Sequence, residues 1–281
     1  SGEVTNVQLN EGQSKGCNEE VIRVVKTMPR WAPGRYNGKS YRTTYRLQIR
    51  FSKKACLDTL TYAYTPEGFE MDSTIFKVFK RNPQWNNMAI VCDFTGSMSP
   101  YTSQLLVWYK LNLKTNSERI KLFSFFNDGD NKPDDKKKIG KTGGIYNTRG
   151  QTFEDVMQLA TKTMRAGGGG DTPENNIEAL LEAIEKCPDC KDIIMIADNF
   201  ATPRDLSLLS KVHKPINIIL CGTYGGINTN YLDIAKATNG SLHTIEEDIL
   251  NLMNLNEGEK ITIDGKLYKI KHGKFVRIYK A

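Results

Sequence analysis

Long apolar runs are missing from this chain. None of them approaches the roughly 20 consecutive apolar residues that a membrane-spanning helix requires. Histidine is scarce: His213, His243 and His272 are the three present, scattered along the sequence. No Ser/His/Asp or Cys/His constellation can be argued from them, and structural roles are expected for all three. Cysteine is sparse too, with six residues. Cys92 and Cys221 sit in apolar runs and read as buried, reduced core residues. Cys187-Pro-Asp-Cys190 is a lone CxxC, without the second pair of a zinc site and without the strand-helix-strand context of a redox motif. A local disulfide or an inert pair is expected there, not catalysis. A signal peptide is also lacking. The opening Ser1-Gly2-Glu3-Val4 reads as a trimmed start, so any export signal or anchor would fall outside the sequence.

What is present is an ordinary globular composition, 39% hydrophobic and 25% charged, in 281 residues, enough for two domains. The net charge of +7 is uneven. Residues 1–60 hold eleven Lys/Arg against five Asp/Glu, residues 257–281 hold seven against three, and the middle holds 21 against 24. Basic ends raise the possibility of nucleic-acid contact. However, the Arg and Lys of residues 23–54 alternate with Val, Tyr, Leu and Ile, as solvated faces of strands and a helix do. No nucleic-acid partner is expected.

Four segments can be distinguished. Residues 1–56 read as a small α+β module. A strand over Val4–Leu9 is followed by a helix opening at Asn18-Glu19-Glu20, turns at Pro33-Gly34 and Asn37-Gly38, and an alternating strand over Tyr41–Phe51. Residues 57–87 read as a connecting segment with short strands at Thr59–Thr65 and Thr74–Phe79. From residue 88 to 256 strands and helices alternate. Strands fall at Met88–Cys92, Ile120–Phe126, Ile193–Ala197 and Ile216–Cys221, and helices at Ser99–Leu113, Thr152–Arg165, Pro173–Glu185, Thr202–Val212 and Asn230–Thr238. This pattern predicts an α/β fold with a doubly wound, mostly parallel sheet, whose ligands gather at the carboxyl ends of strands. Residues 257–281, with turns at Asp264-Gly265 and His272-Gly273, read as a terminal β-hairpin or meander.

The segment Ile90-Val-Cys-Asp93-Phe-Thr95-Gly-Ser97 carries the chemistry. A buried strand ends in an aspartate, and hydroxyls follow at alternate positions, turning one carboxylate and two hydroxyls toward a common point. Hard cations take such oxygen ligands. A second strand, Ile193–Asp198, ends in another carboxylate. Between them the glycine-rich Gly167–Gly170 runs into Asp171-Thr172-Pro173-Glu174.

These three loops resemble the metal-ion-dependent adhesion site of the von Willebrand factor A family. Its DxSxS motif appears as Asp93-Phe-Thr95-Gly-Ser97, with Thr in place of the first Ser. The resemblance implies metal ligation by Asp93, Thr95, Ser97, Asp171 and Asp198, with Thr172 and Glu174 as alternatives to Asp171. Asn199 stands where the family commonly has Gly. Two hydroxyls with two or three carboxylates suit Mg2+, or Mn2+ in its place, better than Ca2+. Two further motifs fall short. Asp-Phe-Thr-Gly-Ser also looks like the aspartyl-phosphate motif of haloacid-dehalogenase-like phosphotransferases, but Ala197-Asp198-Asn199 supplies one acid where those enzymes need a pair. Ile139-Gly140-Lys141-Thr142 is not a phosphate loop, because Asp135 stands where the first Gly should be.

The amino-terminal residues carry a second resemblance. Met28-Pro29-Arg-Trp31-Ala-Pro33-Gly34, Asn37-Gly38-Lys39 and Tyr45-Arg-Leu-Gln-Ile-Arg-Phe51 are similar to the TonB carboxy-terminal domain, without its opening strand. That family binds peptides by strand addition at a sheet edge. Together the two resemblances imply a non-enzymatic, metal-dependent protein-binding protein of the Gram-negative periplasm or envelope. The partner's acidic side chain would complete the metal's coordination, and a membrane anchor upstream is compatible with this reading. A scaffold with a purely structural metal is the alternative. The resemblance to an oxidising compartment's proteins also favours the Cys187–Cys190 disulfide.

Overall fold

The computed structural model describes residues 4–8, 22, 25–26, 34–36, 39–41, 48–49, 62–63, 73–113, 118–150, 152–168 and 173–279. The chain forms two compact units, residues 1–72 and 73–281. In the first, strand β1 (Gly34–Tyr36) pairs antiparallel with β2 (Lys39–Tyr41), and β3 (Gln48–Ile49) with β4 (Tyr62–Ala63). Ile22, Val25 and Lys26 are helical, within the helix expected there. Residues 4–8 are not in a strand, against the reading of Val4–Leu9. Alternation marks a segment able to line a sheet, but a strand also needs a partner for its backbone groups. The Met28–Trp31 core of the TonB resemblance, Cys17 and Cys56 lie outside the described residues.

The second unit opens with helix α1 (Thr74–Arg81), where a strand over Thr74–Phe79 was expected. The β-branched residues point to a strand, but Ile75, Val78 and Phe79 recur at helical spacing with Lys77, Lys80 and Arg81 on the other side. Burial of that apolar stripe outweighs local propensity. Phe79 stacks on Trp108 with ring centroids 3.8 Å apart. Strand β5 (Met88–Asp93), helix α2 (Ser99–Leu111), strands β6 (Ile120–Phe126) and β7 (Ile145–Thr148), and helices α3 (Phe153–Ala166) and α4 (Asn176–Lys186) follow. Then come β8 (Asp192–Asp198), β9 (Ile216–Cys221), helix α5 (Thr229–Ala237), β10 (Ser241–His243) and β11 (Asp248–Ile249).

These seven strands form one mixed, mostly parallel sheet in the order β11-β10-β9-β8-β5-β6-β7. The edge strands β11 and β7 run antiparallel to their neighbours. Strand alternation sorts the core into two layers. Ala89, Val91, Ile193, Met195 and Ala197 face a cluster with Ile177, Leu180, Leu232 and Ile234 of α4 and α5. Ile90, Cys92, Ile194 and Ile196 face Ile75, Val78, Leu105, Trp108, Val156 and Leu159 of α1, α2 and α3. This two-sided burial explains why the strands are apolar throughout.

Two expected helices begin differently. Asn176, not Pro173, opens α4, because Glu174 forms a parallel bridge with Pro203. The same bridge engages Pro203, and Arg204-Asp205 form a turn after it, so the helix expected over Thr202–Val212 shrinks to a 3-10 segment, Leu206–Lys211. Asp205, just before it, accepts a hydrogen bond from the Glu178 amide (2.6 Å) and thereby caps the first turn of α4. The carboxy-terminal segment, expected as a hairpin or meander, is a three-stranded meander, β12 (Lys260–Ile263), β13 (Lys266–Lys271) and β14 (Lys274–Ile278), turning at Asp264-Gly265 and His272-Gly273. Its Ile263, Tyr268, Ile270 and Phe275 join the α4/α5 core layer.

Candidate functional site

The chain leaves β5 for β6 on one side and returns to β8 on the other, so β5 and β8 flank the point where the strand order reverses. In such sheets the crevice at the carboxyl end of these two strands is the natural place for a ligand. The register pairs Cys92 with Ile196, and Asp93, one residue on, and Asp198, two residues on, close the two adjoining strands. Both are buried.

The first loop is built around Asp93. Its Oδ1 accepts hydrogen bonds from the Thr95 amide (2.8 Å) and the Thr95 hydroxyl (2.6 Å). Thr95 Oγ1 lies 3.4 Å from Ser97 Oγ, so the carboxylate and two hydroxyls of the motif form one continuous polar patch. Asp93 Oδ2 is buried and has no hydrogen-bond partner. The loop runs through a 3-10 turn (Gly96–Met98) straight into α2, with Gly96 and Ser97 exposed. The Gly96 amide donates to the Gly168 carbonyl (3.1 Å), tying this loop to the glycine-rich one. In the third loop Asp198 Oδ1 accepts from the Phe200 amide (2.9 Å). Asp171 and Thr172 lie outside the described residues, whereas Glu174 is buried with its Oε2 unpartnered.

The carboxyl groups influence one another. Burial raises Asp93 to about 7 despite its Thr95 hydrogen bonds, and nearby Asp198 and Asp128 add to the rise. Glu174 is pushed up to about 11 by burial, then by Asp93 and Asp128, against the opposing pull of Arg204 and Lys137. Burial thus favours the protonated form of Glu174. Tyr231, buried on α5, is raised first by burial and then by Asp93, Asp198 and Glu174. Among the described residues, no three His, Cys, Asp or Glu side chains form a metal-holding group by themselves.

Sequence reasoning missed the neighbouring ion cluster. Asp128, two residues past the end of β6, pairs with the fully buried Lys137 (2.6 Å) and with Arg204. An acid just beyond a parallel strand was the available signal, the same one that exposed Asp93 and Asp198. Its two cationic partners neutralise Asp128 and bind the β6 loop to the Glu174–Pro203 bridge, since Arg204 also donates to the Pro173 carbonyl. A second constellation surfaced elsewhere. Ser241 Oγ lies 2.6 Å from His243 Nε2, and His243 Nδ1 lies 2.9 Å from Asp248 Oδ1. These residues resemble a catalytic relay only in connectivity. Ser241 donates to Asn217 Oδ1 (2.7 Å), and His243 is buried against Trp85. Arg81 of α1 bonds to Asp248 and to the Thr244 and Ile245 carbonyls, so the network fastens α1 to the β10/β11 edge. Cys187 and Cys190 form a disulfide, and Cys92 and Cys221 are buried free thiols.

Residues 1–52 match the family model of the Gram-negative bacterial TonB protein C-terminal. That match ends well before β5 and leaves the crevice untouched. None of the curated proteins matches the chain. Among the described residues, no helix is long and apolar enough to cross a membrane.

Proposed function

We propose that this chain is a non-enzymatic, divalent-metal-dependent protein-binding protein of the Gram-negative cell envelope. Its second unit would be a von Willebrand factor A-like domain. Asp93, Thr95, Ser97 and Asp198, with a residue of 171–174, would hold Mg2+, or Mn2+ in its place. The observation that carries this reading is the unpartnered, buried Oδ2 of Asp93 at the topological switch, beside two hydroxyls and next to the strand ending in Asp198. A buried carboxylate oxygen without a partner is costly, and a hard cation is the ligand that such an oxygen set fits. Bound there, the cation would supply an open coordination position for a partner's carboxylate.

The protein's own residues prepare that event. Thr95 fixes the orientation of Asp93 through two bonds to a single oxygen and leaves the other oxygen free. The Phe200 amide holds Asp198 by a single bond to its Oδ1. Exposure of Gly96 and Ser97 keeps the mouth of the crevice accessible. The amino-terminal match supports the envelope assignment, and peptide capture by strand addition is proposed for that unit. Calorimetric titration of Mg2+, Mn2+ and Ca2+ into chelator-stripped protein tests the reading. Saturable 1:1 binding with Mg2+ or Mn2+ tighter than Ca2+ is expected, and absence of binding overturns it.

A further inference from the structure

Two large aromatic side chains stand exposed beside the crevice. Phe200, two residues past Asp198, is 68% exposed, and Tyr224, in the turn after β9, is 58% exposed. Their position is fixed. Asn199 donates to the Gly222 and Gly226 carbonyls (3.2 and 2.8 Å) and accepts from the Asn228 amide (2.8 Å), stapling the β8 loop to the β9 loop. Gly222 has φ +76°, and a Cβ there would lie 3.2 Å from the Phe200 ring, so the ring rests on bare backbone. Tyr101, from the first turn of α2, reaches the same place, with its hydroxyl 3.2 Å from that of Tyr224. The first, third and β9 loops thus meet in one aromatic surface. A positive edge borders it: Lys266 donates to the Tyr224 carbonyl (3.0 Å) and Arg277 to the Gly225 carbonyl.

We propose that Phe200 and Tyr224 form a preorganised recognition platform for a partner segment in which an acidic residue is flanked by aromatic or large apolar residues. The inference rests on the metal-binding reading above: the acid would reach the cation while its neighbour covers the rings. Charge complementarity with Lys266, Arg277 and the cation favours an acidic partner segment over a basic or neutral one. Aromatic rings held rigidly at a rim give up little entropy when covered, which makes them efficient anchors.

The test uses two blocked pentapeptides, acetyl-Gly-Phe-Asp-Phe-Gly-amide and acetyl-Gly-Ser-Asp-Ser-Gly-amide. Each is titrated into the 15N-labelled full chain with saturating magnesium, and again with chelator. The Phe-flanked peptide should bind about tenfold more tightly and shift the amides of Phe200, Tyr224 and Gly225. Phe200→Ala should bring the two peptides to equal affinity, with a thermal melt as the check that it folds. Equal affinities for wild type, with magnesium bound, would overturn the platform and leave the metal reading standing. A preference unchanged by chelator would overturn the coupling to the cation. Failure of wild type to bind magnesium at all would overturn the reading on which both rest.

Discussion

Asn199 occupies the position at which the resembled family commonly carries glycine, and its side chain has a structural task. It is 7% exposed and makes three hydrogen bonds that join the loops after β8 and β9 and the start of α5. Asn199→Ala removes all three and strands the Asn228 amide and two carbonyls in a largely enclosed place. At about 1 kcal/mol net per hydrogen bond, the loss comes to about 3 kcal/mol. Because Asn228 also caps α5 through the Asn230 amide (3.2 Å), loosening it adds to the loss. For a unit of this size the change corresponds to a fall in Tm of roughly 6–12 °C. Urea and thermal unfolding, followed by circular dichroism, measure it. Asp198 is held by the Phe200 amide rather than by Asn199, so magnesium-dependent stabilisation should persist. A loss below about 1 kcal/mol would show that other contacts hold the loops together and would refute the staple.

Three other outcomes are expected. Magnesium affinity should rise with pH up to about 7. Asp93 titrates at about 7 in the metal-free fold against its ordinary 3.8, so its contribution to metal-free stability is fully present below 3.8 and lost as pH rises through 7, while magnesium competes with its proton. Calorimetry across that range should find the affinity climbing and a proton released; a flat profile would contradict the assignment. Thiol counting in denaturant without reductant should find four free thiols if Cys17 and Cys56 stay apart, or two if they pair, because Cys187 and Cys190 are joined; six would contradict the disulfide. Cys92→Asp should abolish folding, because it buries an unpaired charge between Ile90 and Ile196 in the α1/α2 layer, costing at least about 3–5 kcal/mol. A soluble, cooperatively melting variant would contradict that packing.

The central sheet was legible because its strands are short and apolar and the helices between them carry clear start signals. Ile120–Phe126 and Ile216–Cys221 matched the expected bounds, and Thr152 caps α3 with a capping box closed by Asp155. What escaped was set by tertiary contact. Residues 74–79 look like a strand until Trp108 is placed beside Phe79. The late start of α4 and the shrunken 202–212 helix both follow from one bridge, Glu174 to Pro203, between residues far apart in sequence. At the site, Asp93, Thr95, Ser97 and Asp198 stood out because an acid at the end of a buried strand has few structural excuses. Asp128 carried the same signal, but its partners Lys137 and Arg204 come from separate loops that no local pattern connects. The link between Ser241, His243 and Asp248 spans a strand and its following turn, and only the fold shows that its serine and histidine are buried.

Thermal melting with and without magnesium, for wild type, Asp93→Ala and Asp198→Ala, tests the central claim most directly. Both carboxylates sit at strand ends, so the alanine variants should fold and melt cooperatively. Removing the buried carboxylate and its repulsion from the neighbouring acids should, if anything, favour the Asp93→Ala fold without magnesium. Wild type should gain about 2.7 kcal/mol at a magnesium concentration 100 times its Kd, visible as a clear rise in Tm, whereas neither variant should gain. A full magnesium-dependent rise in either variant would show that the residue is not a ligand and that the cation, if bound, lies elsewhere.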